Sequence, residues 1–292
     1  MRKKTFILGV GCQKGGTTWL HSQLNDSPEV DMGLCKEYHV FDALYVDDCK
    51  DFLTNKLKRL GRINNCETQE QLSEFNDLLL RVSFYADTKN YFNYFDFLWR
   101  DGGPLLSAVG DITPTYALLP KHALEEIKAG LEAKGFEVKV IFLMRDPIER
   151  IWSALRMARN HRAKSGKEHI LSNERDHLMI FSENSINMKR SDYETTIKNL
   201  ETVFDRNDIF YTFYEKLFMP NTLLEMKNFL GLEDFNPDVN YKINISGKSK
   251  TMKKLDPELG AKLFEQYKST YDFCEERFGV KDFWPGWDYR II

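Results

Sequence analysis

Short, unbroken apolar runs alternate along this chain with longer stretches of helical spacing. Thr5 to Val10 is β-branched and apolar and ends in glycines, and Thr17-Thr18-Trp19-Leu20 through Leu24 follows with helix-like spacing. The first unit is therefore a predicted strand, tight loop and helix. Asn25-Asp26-Ser27-Pro28 stops that helix, and Val30 to Met32 is a second short strand. From about Asp47 to Arg100 the pattern is helical and connective, with aromatics clustered at Tyr91-Phe92-Asn93-Tyr94-Phe95, and no chemistry is placed there. Ser107 to Gly110 is a weak strand, and a helix spans about Lys121 to Lys134. Lys139-Val140-Ile141-Phe142-Leu143-Met144 then has the continuous apolar character of a strand buried on both faces.

The next helix has a readable start: Asp146 at the N-cap, Pro147 at the first helical position and Glu149 at the capping-box position. Tyr193 to Phe204 is helical, Ile209 to Tyr214 a strand and Asn221 to Leu230 a helix; Asp256-Pro257 starts a last long helix that ends near Gly279. Strands alternating with helices predict a three-layer α/β/α fold around a central parallel sheet, with ligands bound beyond the strand C-terminal ends. The 292 residues form one predicted domain, 1–292, with insertions at about 47–106 and 156–190.

Composition narrows the partners. Apolar residues at 42% supply a core, and 29% charged residues give an ordinary solvated surface. A net charge of −3 provides no global field for nucleic acid or an anionic membrane, so no nucleic-acid partner is expected, although locally basic grooves remain open. Phe6 to Val10 is too short for a signal-peptide core and no run is long enough to span a bilayer, which predicts a cytoplasmic protein without a membrane span. Cys12, Cys35, Cys49, Cys66 and Cys274 are odd in number and lack C-x-x-C spacing, so reduced thiols are expected, with neither a disulfide framework nor a zinc site.

The chemistry begins in Gly9-Val10-Gly11-Cys12-Gln13-Lys14-Gly15-Gly16-Thr17-Thr18. At a strand-to-helix turn its backbone N–H groups converge on a helix N-terminus, a site for phosphate or sulfate. The Walker A order places lysine after the last glycine, whereas Lys14 precedes Gly15-Gly16 and Thr17 stands at the Walker lysine position, which speaks against an ordinary ATP or GTP kinase. The pattern Gly11-x-x-Lys14-x-Gly16-Thr17-Thr18-x-Leu20 resembles the 5′-phosphosulfate loop of sulfotransferases that use 3′-phosphoadenosine-5′-phosphosulfate (PAPS), whose fold is P-loop-like. The resemblance implies that Lys14 contacts the bridging oxygen and offsets charge on the leaving phosphate. Gly15, Gly16, Thr17, Thr18 and Trp19 would hold the nucleotide. It also implies adenosine 3′,5′-bisphosphate as product and no metal.

PAPS differs from ATP by its 3′-phosphate, so a second anion site is required. Arg145 at the end of the central strand and Ser153, seven residues after the Asp146 cap, can face one pocket and match the family's 3′-phosphate motif. A rival reading makes Val140 to Asp146 a Walker B strand with Asp146 on magnesium, but the Asp-Pro-x-Glu cap explains Asp146 without a metal. Lys36-Glu37-Tyr38-His39-Val40-Phe41-Asp42 resembles the Lys-Glu-x-His-Phe-Phe-Asp segment of the Golgi heparan-sulfate-type branch. That resemblance makes Glu37 the base and places Lys36, His39 and Asp42 at the acceptor; His39 competes as base because its ordinary pKa suits the task.

Asp111-Ile112-Thr113-Pro114-Thr115-Tyr116 resembles the same branch's Glu-Lys-Thr-Pro-x-Tyr, which adds Thr113 to the acceptor site but replaces its lysine with Ile112. A polyanionic sugar is therefore not assumed, and a small-molecule, carbohydrate or lipid acceptor stays open. Gly247-Lys248-Ser249-Lys250 resembles the family's basic loop over the 3′-phosphate, though a solvated charge run has the same composition. Residues 156–190 form a candidate acceptor lid. Two alternatives stand beside sulfuryl transfer: an atypical P-loop kinase using ATP and magnesium, and an inactive nucleotide-binding relative.

Overall fold

The computed structural model describes residues 3–63, 65–166, 174–241 and 255–290. Strand β1 (Thr5–Gly11) is buried along its whole length, and its alternating side chains divide the interior in two. Phe6, Leu8 and Val10 enter one apolar cluster and Ile7 enters the other. A strand that is apolar on both faces belongs in the middle of a covered sheet, and β1 lies between two parallel neighbours. With β2 (Val30–Asp31), β3 (Ala108–Ile112), β4 (Glu137–Met144) and β5 (Ile209–Phe213) it makes a five-stranded parallel sheet of order β2-β3-β1-β4-β5. Thr5 pairs with Ala108 on one side and with Glu137 on the other.

Helix α1 (Thr17–Asn25) covers one face through Trp19, Leu20 and Leu24. The segment before β3 carries α2 (Phe41–Tyr45), α3 (Asp51–Leu60), α4 (Gln69–Ala86) and α5 (Lys89–Asp101), in keeping with the helical pattern read there. α6 (Lys121–Glu132) leads into β4, and α7 (Pro147–Lys164) leaves it on the face opposite α1, its Ile148, Ile151 and Leu155 joining the larger cluster. α8 (Glu174–Glu183), α9 (Ser185–Lys189) and α10 (Tyr193–Val203) precede β5, and α11 (Pro220–Leu230) packs beside α1. The result is the expected three-layer, P-loop-like α/β architecture. No described helix is long and apolar enough to cross a membrane.

Three local expectations change. The final helix is two, α12 (Pro257–Gln266) and α13 (Lys268–Phe278), because Tyr267 leaves helical geometry and its N–H is shared between the carbonyls of Leu263 and Phe264 at 3.1 and 3.2 Å. The bend sets the rings of Phe264 and Tyr271 face to face, 4.5 Å apart. Second, α7 continues to Lys164, so the stretch read as an insertion begins within a helix. Third, the α7 cap is only half a capping box. Asp146 accepts from the Glu149 N–H at 3.0 Å, but the N–H of Asp146 donates to Glu215, 3.2 Å away, while the Glu149 carboxylate turns to Arg145.

Candidate functional site

β1 and β4 are neighbours, and the helices that follow them lie on opposite faces of the sheet. The loops at their C-terminal ends therefore sit side by side over an open crevice. This crevice is a cavity of about 1050 Å³ that Lys14, Gly16, Thr17, Thr18, Trp19, Arg145 and Ser153 all line, together with Lys36, Glu37 and His39.

The first loop is shaped by its backbone. Cys12 donates to the Leu143 carbonyl at 2.5 Å and Gly15 to that of Cys12 at 3.0 Å, which folds the turn onto the end of β4. A Cβ on Gly15 would lie 2.9 Å from the Leu143 oxygen, so only glycine fits beneath the turn. Gly15 itself does not line the cavity, so its contribution is backbone shape. Lys14 and Gly16 both take left-handed conformations, at φ 72 and 95, which orient successive N–H groups to one side. Gly16 caps α1 with no side-chain acceptor, leaving the first-turn N–H groups to an anion. A lysine in left-handed geometry is strained by about 1–2 kcal/mol, and its side chain points along the cavity to within 3.8 Å of Met157 Sδ. Burial first, and then the charges of Arg145, Arg156 and Lys36, lower the Lys14 pKa; a bound anion would offset that crowding of cations.

Arg145 is held from three sides. Nη1 donates to the Lys14 carbonyl at 3.1 Å, Nη2 reaches Glu149 at 3.4 Å, and the guanidinium lies 4.3 Å above the Tyr214 ring. The guanidinium lines the cavity, so its charge faces a ligand there. Further cations, Arg156 and Lys164, come from α7, whose Ser153, Met157, Asn160 and His161 also line the cavity. Their spacing of three and four residues is one helix face. That spacing was visible in the sequence; the expected insertion at 156 hid it. Arg190, Gln13, Tyr214 and Phe218 also line the cavity and were missed, because their elements meet only in the fold. Arg190 donates to Gln13 Oε1 at 3.2 Å.

The Lys36–Asp42 segment forms a chain of charges. Lys36 pairs with Glu37 Oε1, Glu37 Oε2 lies 3.1 Å from His39 Nε2, and His39 Nδ1 lies 2.7 Å from Asp42 Oδ2. A ring with a carboxylate on each nitrogen is stable as imidazolium, donating to both. Burial opposes that charge, but the bonds to Asp42 and Glu37 outweigh it and the His39 pKa is raised. For Glu37 burial raises the pKa, yet the His39 bond and the Lys36 charge prevail and bring it down to about 2.

Asp42 and Thr113 require correction as substrate-contacting residues: both are wholly buried, and neither lines the cavity. Asp42 orients His39 from behind. Thr113 donates to Asp111 at 2.7 Å and accepts from the Tyr38 N–H at 3.0 Å, bracing the segment against β3. Ile112 is wholly buried in the apolar layer beneath α1 and α11, against Gly9. Asp146 is also buried off the cavity, with Oδ1 accepting from Glu149 and from the Tyr271 hydroxyl at 2.9 Å and Oδ2 accepting from Gly286 at 2.7 Å. Among the described residues no group of three or more His, Cys, Asp or Glu could hold a metal ion. Lys248 and Lys250 lie outside the described residues.

The sulfotransferase domain family matches residues 3–256. No curated protein matches the chain. Among solved structures, a sulfotransferase from Alicyclobacillus acidocaldarius is 15% identical, with 92% of this chain and 94% of that chain covered and a TM-score of 0.54, which shows a shared fold. The sulfotransferase domain of the Synechococcus PCC 7002 olefin synthase is 17% identical over 93% of this chain and 94% of that one, TM-score 0.48. The sulfotransferase domain from the curacin biosynthetic pathway is 18% identical over 85% and 81%, TM-score 0.47.

Proposed function

The chain belongs to the sulfotransferase domain family, and from that premise we propose that it transfers a sulfuryl group from PAPS to an acceptor hydroxyl or amine, with Glu37 as base. One observation carries the reading: Lys14 and Arg145, from loops 131 residues apart, line a single cavity and are bonded to each other through the Lys14 carbonyl. The two ends of a doubly phosphorylated nucleotide need such a pair of cations. The Arg145 charge on the cavity wall and the uncapped N-terminus of α1 fit its two anionic ends.

PAPS is the donor substrate and supplies the activated sulfuryl group. Loop amides with Thr17 and Thr18 would hold the 5′ end; Arg145 and Ser153 would hold the 3′-phosphate. As the acceptor lone pair bonds to sulfur and the sulfur–bridging-oxygen bond breaks, the electron pair stays on the 5′-phosphate, and Lys14 offsets that charge. Glu37 takes the acceptor proton. What favours Glu37 over His39 is access and valence: its side chain is 30% exposed against 12%, and both ring nitrogens are already engaged. A carboxylate with a pKa near 2 is a weak base at rest, so proton transfer accompanies bond formation, when the acceptor proton becomes acidic.

The kinase reading has less support, since both Asp146 oxygens are committed to protein donors. Calorimetry with adenosine 3′,5′-bisphosphate and with ATP–magnesium separates the two; preference for ATP–magnesium overturns the proposal. Label transfer from PAPS across a panel of alcohols, phenols, sugars and amines then identifies the acceptor, and a protein that binds the bisphosphate but transfers to nothing is the inactive relative.

A further inference from the structure

The acceptor-side segment is gripped from two sides by side chains alone. From the sheet side, Thr113 accepts the Tyr38 N–H at 3.0 Å and the Tyr116 hydroxyl accepts that of Val40 at 3.4 Å. From the other side, the intervening carbonyls are taken by α4: Arg81 Nη2 donates to Glu37 O at 3.1 Å and the Tyr85 hydroxyl donates to His39 O at 2.7 Å. Arg81 and Tyr85 are four residues apart, so one face of α4 carries both. Tyr85 is itself aimed, because Lys56 Nζ on α3 donates to its hydroxyl at 2.6 Å. Phe52, also on α3, stacks on the His39 imidazole at 3.8 Å with an interplanar angle of 14°.

The segment needs this grip. His39 sits at φ 54, left-handed geometry that a residue with a Cβ adopts only when its surroundings hold it there. The Tyr85 hydrogen bond and the Phe52 ring stacking fall on that residue, and the bond of Arg81 falls on Glu37. We propose that the α3–α4 hairpin positions the acceptor-side groups, with Arg81, Tyr85 and Phe52 setting the direction of Glu37 and His39. The inference rests on the reading of those two residues as acceptor-side chemistry. It makes the hairpin an accessory to the acceptor half alone, because Lys14 and Arg145 lie in the loops that follow β1 and β4 and, among the described residues, bond to no hairpin residue.

Tyr85→Phe and Arg81→Lys test it. Both keep the charge, so a moved His39 titration reports altered geometry and not a lost field. Three quantities are measured on each full-length variant: the thermal midpoint, the calorimetric affinity for adenosine 3′,5′-bisphosphate, and the titration of His39 by NMR with labelled histidine, assigned by the signal that His39→Gln removes. The expected result is bisphosphate affinity within about twofold of wild type, with His39 titrating at lower pH than in wild type because its carboxylate contacts loosen. Once an acceptor is known, kcat falls roughly tenfold with the donor KM unchanged. An unmoved His39 titration in both variants overturns the proposal, and so does a bisphosphate affinity that falls together with it, which would make the hairpin a support for the whole fold. Should one variant fail to fold, the other decides. Wild-type protein that binds no bisphosphate would sink the sulfuryl-transfer reading, while the His39 titration would still judge the hairpin.

Discussion

Replacing Arg145 by alanine separates the two ends of the nucleotide. In the folded chain this guanidinium does two things: it bonds the Lys14 carbonyl at 3.1 Å, which helps shape the first loop, and it puts its charge on the wall of the cavity. Losing the first contact, a hydrogen bond from a charged donor to a neutral carbonyl inside the protein, loosens the loop and weakens every nucleotide, with or without a 3′-phosphate, by the same increment, at most about 1.5–3 kcal/mol. Losing the second removes a charge-assisted bond that only a 3′-phosphorylated nucleotide makes, about 1.5–3 kcal/mol. The difference between the two losses is the informative quantity, and it amounts to roughly a ten- to hundredfold larger drop for adenosine 3′,5′-bisphosphate than for 5′-AMP. Calorimetry on the wild type and Arg145→Ala, with 5′-AMP followed by competition if weak, measures it directly. Equal losses for both nucleotides would mean that Arg145 serves only the loop, and the assignment of the 3′-phosphate pocket would fall. The Tyr214 ring beneath the guanidinium is a partner alanine cannot keep, so apo-protein melting is followed in parallel to exclude collapse of the pocket wall.

Glu37→Gln keeps the shape and loses the base, so turnover should fall by about 10²–10⁴-fold while bisphosphate affinity changes less than twofold; full activity would move the base role to His39. Gly16→Ala forces a Cβ onto a residue at φ 95 and to within 2.7 Å of Leu217 Cδ2, and should destabilise the fold by about 1–3 kcal/mol and weaken nucleotide binding; an unchanged melting point would contradict the left-handed cap. Burial raises the Glu215 pKa to about 7. A carboxyl with a raised folded pKa binds its proton more tightly folded than unfolded, so it subtracts stability as pH climbs from 4.5 to 7, and above that the penalty stays constant. Glu215→Gln, which retains an oxygen for the Asp146 N–H, should therefore stabilise by about 1–3 kcal/mol at pH 8 and by almost nothing at pH 4. Equal melting shifts at the two pH values would refute this.

Much of the scaffold was legible because its signals are local. The unbroken runs at Thr5–Val10 and Lys139–Met144 are β1 and β4 in the structure, and an Asp146-Pro147 start needs only neighbouring residues to form. The misread last helix shows the limit: nothing in composition marks Tyr267 as a break, because the bend belongs to the packing of Phe264 on Tyr271. The Glu149 carboxylate misled in the same way, since its expected reciprocal role is taken by Glu215, 66 positions away.

For the candidate site, the sequence by itself determined the residue types: a lysine-led glycine turn, an arginine closing an apolar strand, and a Glu-x-His segment with an aspartate three residues on. Their backbone requirements and spacing are properties of a few consecutive residues, and such properties survive in any context that folds. Only the tertiary structure decided which of these groups face one another. Strand order put β1 beside β4 and so brought Lys14 to Arg145. Burial withdrew Asp42 and Thr113 behind the surface, and a remote hairpin supplied the bonds that hold His39 in left-handed geometry. Those outcomes depend on contacts between segments far apart in the chain, which no local pattern encodes.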